Sequence, residues 1–244
     1  MKKNIGKLLS QGIGGCAVVC AIAIPTVASA SEERISLDAW SGAGGSKSRN
    51  TGVIATFAPF GSLYQSGFRL IGAGSVGNYE FVSTASPTGT IDGDYTEVSA
   101  QLGYSFVGPV GNISLAAGPS ISNTKLSFDA PNGSASGRES GLKLSFSGYT
   151  PVGSSGFLLG GVSHSTANKS SYYMSKLGFG VWGDLKAGPE ASFATGRDYS
   201  ERRFGLHLTG LKLGKLDFGL AGGVREDQND KRGGYVQISG RAVY

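Results

Sequence analysis

After residue 30 the chain repeats one rhythm: short segments of alternating apolar and polar residues, joined by connections that are alternately tight and long. A period of two puts successive side chains on opposite faces of a strand. The rhythm predicts twelve strands, at 33–41, 51–58, 66–77, 93–106, 112–123, 141–147, 156–163, 172–182, 184–193, 201–210, 215–224 and 233–244. Connections after even-numbered strands are tight, at 59–65, 107–111, 148–155, 183 and 211–214. Those after odd-numbered strands are mostly longer and polar, at 42–50, 78–92, 124–140, 164–171, 194–200 and 225–232. An even number of antiparallel strands, with short turns at one end and long loops at the other, is the pattern of an outer-membrane β-barrel. Within lipid every backbone N–H and C=O needs a partner, so a sheet there must close on itself. The expected fold class is therefore all-β, an antiparallel barrel in the cell outer membrane of a Gram-negative bacterium.

The N-terminus agrees with that destination. Lys2, Lys3 and Lys7 precede an apolar stretch at 17–24, and Ala28-Ser29-Ala30 supplies a small-x-small cleavage site. Residues 1–30 thus read as a secretory signal peptide, with a mature barrel over 31–244. An uncleaved anchor is the weaker reading, because Gly12, Gly14, Gly15 and Pro25 break an apolar run shorter than the ~20 residues a span needs. Both cysteines, Cys16 and Cys20, lie inside the signal, so the mature chain has no disulfide framework, redox pair or thiolate metal site. Removing the three signal lysines from 22 basic residues leaves 19 against 17 acidic ones. That near balance gives nucleic acid no electrostatic footing. The 41 glycines fall largely within strands, where they relieve crowding in a tightly curved sheet.

Strand parity assigns the two faces. Phe204, Leu206 and Leu208 oppose Arg203, Gly205, His207 and Thr209; Leu216, Phe218, Leu220 and Val224 oppose Asp217, Gly219 and Ala221. Leu185, Ala187, Pro189, Ala191 and Phe193 oppose Lys186, Glu190 and Ser192, and Val98, Ala100, Leu102, Tyr104 and Phe106 oppose Glu97, Ser99, Gln101 and Ser105. In a membrane barrel the apolar faces meet lipid and lipopolysaccharide. Strand-end aromatics (Tyr104, Phe106, Tyr172, Tyr173, Trp182, Tyr235 and Tyr244) are expected to form interfacial girdles. A soluble sandwich or lipocalin-like barrel would bury the apolar face instead, but the loop asymmetry and the signal favour the membrane.

Catalytic and metal chemistry find little support. Outer-membrane phospholipases set a His and a Ser two residues apart on one strand face. Here His164 has Thr166 at that spacing, and His207 has Thr209 on the inward face, away from lipid. No catalytic, cofactor-binding or metal site is assigned. Asp92-Gly93-Asp94 and the acidic run from Glu226 to Asp230 lack calcium-loop spacing, so they read as solvated loops or loose divalent bridges to lipopolysaccharide. The candidates that remain are inward polar residues: Arg69, Glu97, Lys186, Glu190, Arg203, His207 and Asp217. Opposite charges on a closed interior pair across strands, because an unpaired confined charge is costly. Glu190 is expected to pair with an inward Arg or Lys and to help block the lumen. The other readings are a small-solute or oligosaccharide channel, an outer-membrane lipid hydrolase, and an adhesin-like barrel.

Three segments carry a family resemblance. Ser66-Gly67-Phe68-Arg69-Leu70-Ile71-Gly72-Ala73-Gly74 follows a Pro59-Phe60-Gly61 turn; Gly188-Pro189-Glu190 and the run from Arg203 through Leu211 are the others. Together they resemble the BcsS family of bacterial cellulose-biosynthesis proteins, over most of the mature chain. The resemblance implies a non-enzymatic accessory that assists cellulose manufacture or secretion, with cellulose or its secretion proteins as partners. It carries no catalytic residues; Arg69 and Glu190 match recurrent motif positions.

Overall fold

The computed structural model describes residues 33–45, 48–83, 86–128, 136–228 and 232–244. The expected signal segment and its cleavage site lie outside them. Every helix or strand element among the described residues is a strand. In chain order they are β1 (Ile35–Gly44), β2 (Ser48–Phe57), β3 (Gly67–Val82), β4 (Thr90–Gly108), β5 (Gly111–Leu126) and β6 (Gly137–Val152). There follow β7 (Gly156–Ser165), β8 (Ser170–Trp182), β9 (Leu185–Thr195), β10 (Ser200–Leu213), β11 (Leu216–Asp227) and β12 (Arg232–Val243). Each pairs antiparallel with its chain neighbours, and β1 pairs with β12, from Ser36 opposite Val243 to Gly44 opposite Tyr235. The sheet is a closed barrel with no free edge, so its backbone is satisfied without water. Arg34 and Ile35 donate their amides to the Tyr244 carbonyl, which places both ends of the barrel chain at the tight-turn end.

The alternation is plainest in β4. Ser99, Gln101, Gly103 and Ser105 are buried, while Val98, Ala100, Leu102 and Phe106 are exposed. Other strands repeat this inversion. Phe68, Leu115, Leu144, Phe179, Phe204, Leu206, Leu220 and Ile238 stand exposed on the outer wall, and Arg69, Glu201, Arg203 and His207 are buried. A barrel that hides its serines and arginines and shows its leucines has hydrocarbon outside it.

Strands at the loop end run further than the polarity pattern predicts. The expected loop 78–92 contracts to 83–89, and 124–140 contracts to 127–136. Asn78–Val82 continues β3 and Thr90–Asp92 begins β4. A crossing needs only about 9–11 residues, so the upper turns of these long strands stand clear of the lipid. Their outer face can then carry Glu80, Asp92 and Asp94, which in the sequence resemble loop. At the tight-turn end four of the connections stay short, whereas 58–66 is the longest there.

Glycines make room for inward rings. Trp40 is the register partner of Gly52, and Phe157 that of Gly178. A Cβ at Gly52 would lie inside the Trp40 indole, and one at Gly178 inside the Phe157 ring. Each aromatic therefore lies flat across the neighbouring strand. Tyr79 with Gly93 and Tyr95 with Gly77 are paired in the same way. Two strands slip register: β8 between Gly180 and Trp182, and β10 between Thr209 and Leu211, where Gly210 has φ 88° and parity reverses. Beyond that bulge Leu211 and Leu213 take the outward face that Leu206 and Leu208 held before it.

Candidate functional site: the barrel lumen

The interior is crossed by side chains from strands that are not neighbours. At the loop end Glu201, 3 % exposed, gathers three partners. Arg225 Nη1 donates to its Oε2 at 2.6 Å, Arg203 Nε donates to Oε1, and the Tyr199 hydroxyl donates to Oε2. Arg225 also lies 3.6 Å from Asp227. Burial, reinforced by the adjacent Glu201 carboxylate, raises the Tyr199 hydroxyl above the ordinary tyrosine range, so it stays a neutral donor. The Tyr199 ring meets that of Tyr79 at 5.3 Å between centroids, although β3 and β10 stand on nearly opposite sides of the ring of strands. Tyr95 and Phe81 extend this cluster, 6.4 Å and 6.1 Å from Tyr79. At the same end, Arg197 in the β9–β10 connection clamps Glu139 on β6 with two parallel bonds of 2.5 and 2.9 Å.

Deeper in the lumen Glu190 lies 3.0 Å from Lys176 and accepts the Tyr235 hydroxyl at 2.8 Å. That second bond runs from β12 to β9, and Arg203 sits over the same Tyr235 ring at 5.5 Å. A void of about 20 Å³ is bounded here by Glu190, Lys176, Tyr172 and Arg203, room for about one water molecule. Across the other half Lys143 donates to Glu97 at 2.6 Å, Gln101 meets Ser145, and Ser120 meets Ser165 at 2.9 Å.

The sequence-derived candidates fall into several groups rather than one network: Glu190 and Arg203 meet at Tyr235, His207 and Lys186 at Phe157, and Glu97, Asp217 and Arg69 each have partners of their own. His207 is buried beside Phe157, with its Nε2 3.3 Å from the Leu177 carbonyl, an acceptor that requires the proton on that nitrogen. Lys186 lies over the Phe157 ring at 5.5 Å. Asp217 accepts the Gly210 amide at 3.1 Å and so holds the β10 bulge. Arg69 folds the 58–66 connection by donating to the carbonyls of Ser62, Leu63 and Gln65. Tyr235 corrects the aromatic assignment: it is 3 % exposed and lies in the lumen, not in a girdle. Its parity, opposite to Val236 and Ile238, already placed it inward. Tyr172 shares the inward parity of Lys176 and bounds the same void.

Sequence reasoning missed Glu201, Arg225 and Asp227. Glu201 sits in a run of three charges with no apolar neighbour to mark a face, and Asp227 was absorbed into an acidic loop. Parity continued upward from His207 and Val224 reaches all three. The acidic stretches divide between faces: Asp92 and Asp94 point outward, and Asp227 inward. His164 faces outward and shares a 2.8 Å hydrogen bond with Ser171; no carboxylate meets its ring among the described residues.

A closed barrel of twelve antiparallel strands, apolar outside and ionic within, is an integral protein of the bacterial outer membrane. Its sequence matches the family of the cellulose biosynthesis protein BcsS over residues 38–243. The chain belongs to that family. No curated protein matches it. Among solved structures it is similar to the KdgM porin (10 % identity, 86 % of this chain and 99 % of that one, TM-score 0.47). It is also similar to the β domain of the Bordetella autotransporter BrkA (12 %, 88 % and 100 %, 0.48) and the transport unit of the Escherichia coli autotransporter AIDA-I (11 %, 92 % and 94 %, 0.38).

Proposed function

We propose that this protein is a non-enzymatic accessory of cellulose secretion whose lumen is closed to the glucan. The observation that carries the reading is the contact of Tyr79 with Tyr199 across the barrel, above the Glu201 and Glu190 clusters. A polymer chain would have to part those rings and break several desolvated ion pairs, each break leaving a confined charge uncompensated. The barrel then acts through its outer wall, rims and connections, on secretion proteins or on the emerging polymer. A lipid-hydrolase role would rest on His164 and Ser171, yet a serine nucleophile needs an oriented base, and among the described residues no carboxylate holds the far side of this imidazole.

Deleting the gene and measuring extracellular cellulose beside glucan synthesis in isolated membranes tests the proposal. The expected result is reduced extracellular cellulose with unchanged synthesis, restored by the wild-type barrel and equally by a catalytically neutral His164→Ala variant. Normal cellulose in the deletion strain would refute an accessory role, and failure of His164→Ala to complement would favour chemistry at that site.

A further inference from the structure

The outer wall of β10, β11 and β12 carries a feature that the lumen account does not use. Arg202 is the register partner of Glu226, and Glu226 that of Arg232. All three have the outward parity of Phe204, Val224 and Val236 and stand at the loop end, the outer-leaflet side by the polarity of turns and loops. Arg202 is exposed, and Arg232 is 81 % exposed with its Nε 3.6 Å from Glu226. Immediately toward the membrane, Phe204 and Val224 are paired and exposed, and Leu206 lies one step below on the same face. Outward positions Gly222 and Gly234 carry no side chains between these residues, which leaves a trough in the wall. A groove of about 410 Å³ is lined by Arg202, Phe204, Val224, Glu226 and Arg232.

We propose that this groove binds a phosphorylated, multiply acylated glycolipid of the outer leaflet, lipopolysaccharide through its lipid A moiety. Two arginines on strands separated by one stand about 10 Å apart at the backbone, at the level where the apolar wall ends. Guanidinium groups pair with phosphate through parallel hydrogen bonds. The exposed Phe204, Val224 and Leu206 below them offer an apolar track for acyl chains, as a molecule with phosphates above and hydrocarbon below requires. Glu226 competes with phosphate for Arg232, so it tempers the site rather than forming it.

Native mass spectrometry of the full barrel in detergent tests this with bisphosphorylated lipid A, dephosphorylated lipid A and phosphatidylglycerol as separate probes. The expected result is retention of bisphosphorylated lipid A, weakened about tenfold or more by Arg202→Gln with Arg232→Gln. Glu226→Gln tightens it, and Lys125→Gln, on the distant strand β5, leaves it unchanged. Heat-modifiable migration on gels confirms that each variant is a folded barrel. Equal binding by the double arginine variant, by dephosphorylated lipid A or by phosphatidylglycerol would overturn the proposal.

Discussion

Glu201 shows how single residues decide the interior. Its carboxylate answers Arg203, Arg225 and Tyr199 at once in a site nearly closed to water. Removing one partner from a buried ion group leaves the others uncompensated, which costs about 3–5 kcal/mol. Glu201→Ala should therefore lower the unfolding free energy of the purified barrel, read from urea titration, by that order, whereas Arg202→Ala next to it, on the outer wall, should not. Equal effects of the two substitutions would mean that Glu201 is not the hub. On the outer face Leu206, 67 % exposed, meets lipid. Leu206→Arg should cost roughly 2–4 kcal/mol if it lies near mid-bilayer, and Thr209→Ser little. Folding titrations into lipid vesicles measure both, and a tolerated Leu206→Arg would place that residue away from hydrocarbon.

At the scale of strands, ring-over-glycine pairs such as Phe157 on Gly178 and Trp40 on Gly52 set how tightly the wall curves. Gly178→Val should drive Phe157 from its seat, with an overpacking cost of about 1–3 kcal/mol. It should also loosen Lys186 and His207, which rest against the same ring. Near-ultraviolet circular dichroism and thermal midpoints would register the change; an unshifted midpoint would mean the ring has other room. The same scale explains what could be read from sequence. Where hydrocarbon presses on the wall, as at Phe204-Gly205-Leu206-His207-Leu208, alternation names strand, face and lumen residue together. Above the bilayer no such pressure acts, so Asn78–Val82 looks like loop while it is strand, and Glu201, within the expected strand 201–210, has no apolar neighbour to mark its face. The Gly210 bulge was hidden because reversing parity only exchanged one leucine-rich register for another. Partners could not be read at all: alternation put Glu190 inward, but only the closed register brings Tyr235 to it from β12.

For the molecule as a whole, closure of β1 on β12 gives a wall compatible with lipid, and inward charges and tyrosines meet across the lumen. Twelve strands lie between the eight that side chains fill completely and the sixteen of an aqueous porin. The outcome is thus decided by the side chains and not by strand number. Here they meet from opposite walls. The most direct test is single-channel recording of the purified barrel in planar bilayers, with soluble glucan oligomers added to either side. The account predicts no steady conductance of porin size and no glucan-dependent block, with a conducting state emerging only when Tyr79 and Tyr199 are both replaced by alanine along with Glu190. A large, stable conductance of the wild-type barrel that glucan oligomers interrupt would contradict it, and would make the lumen the path of the polymer.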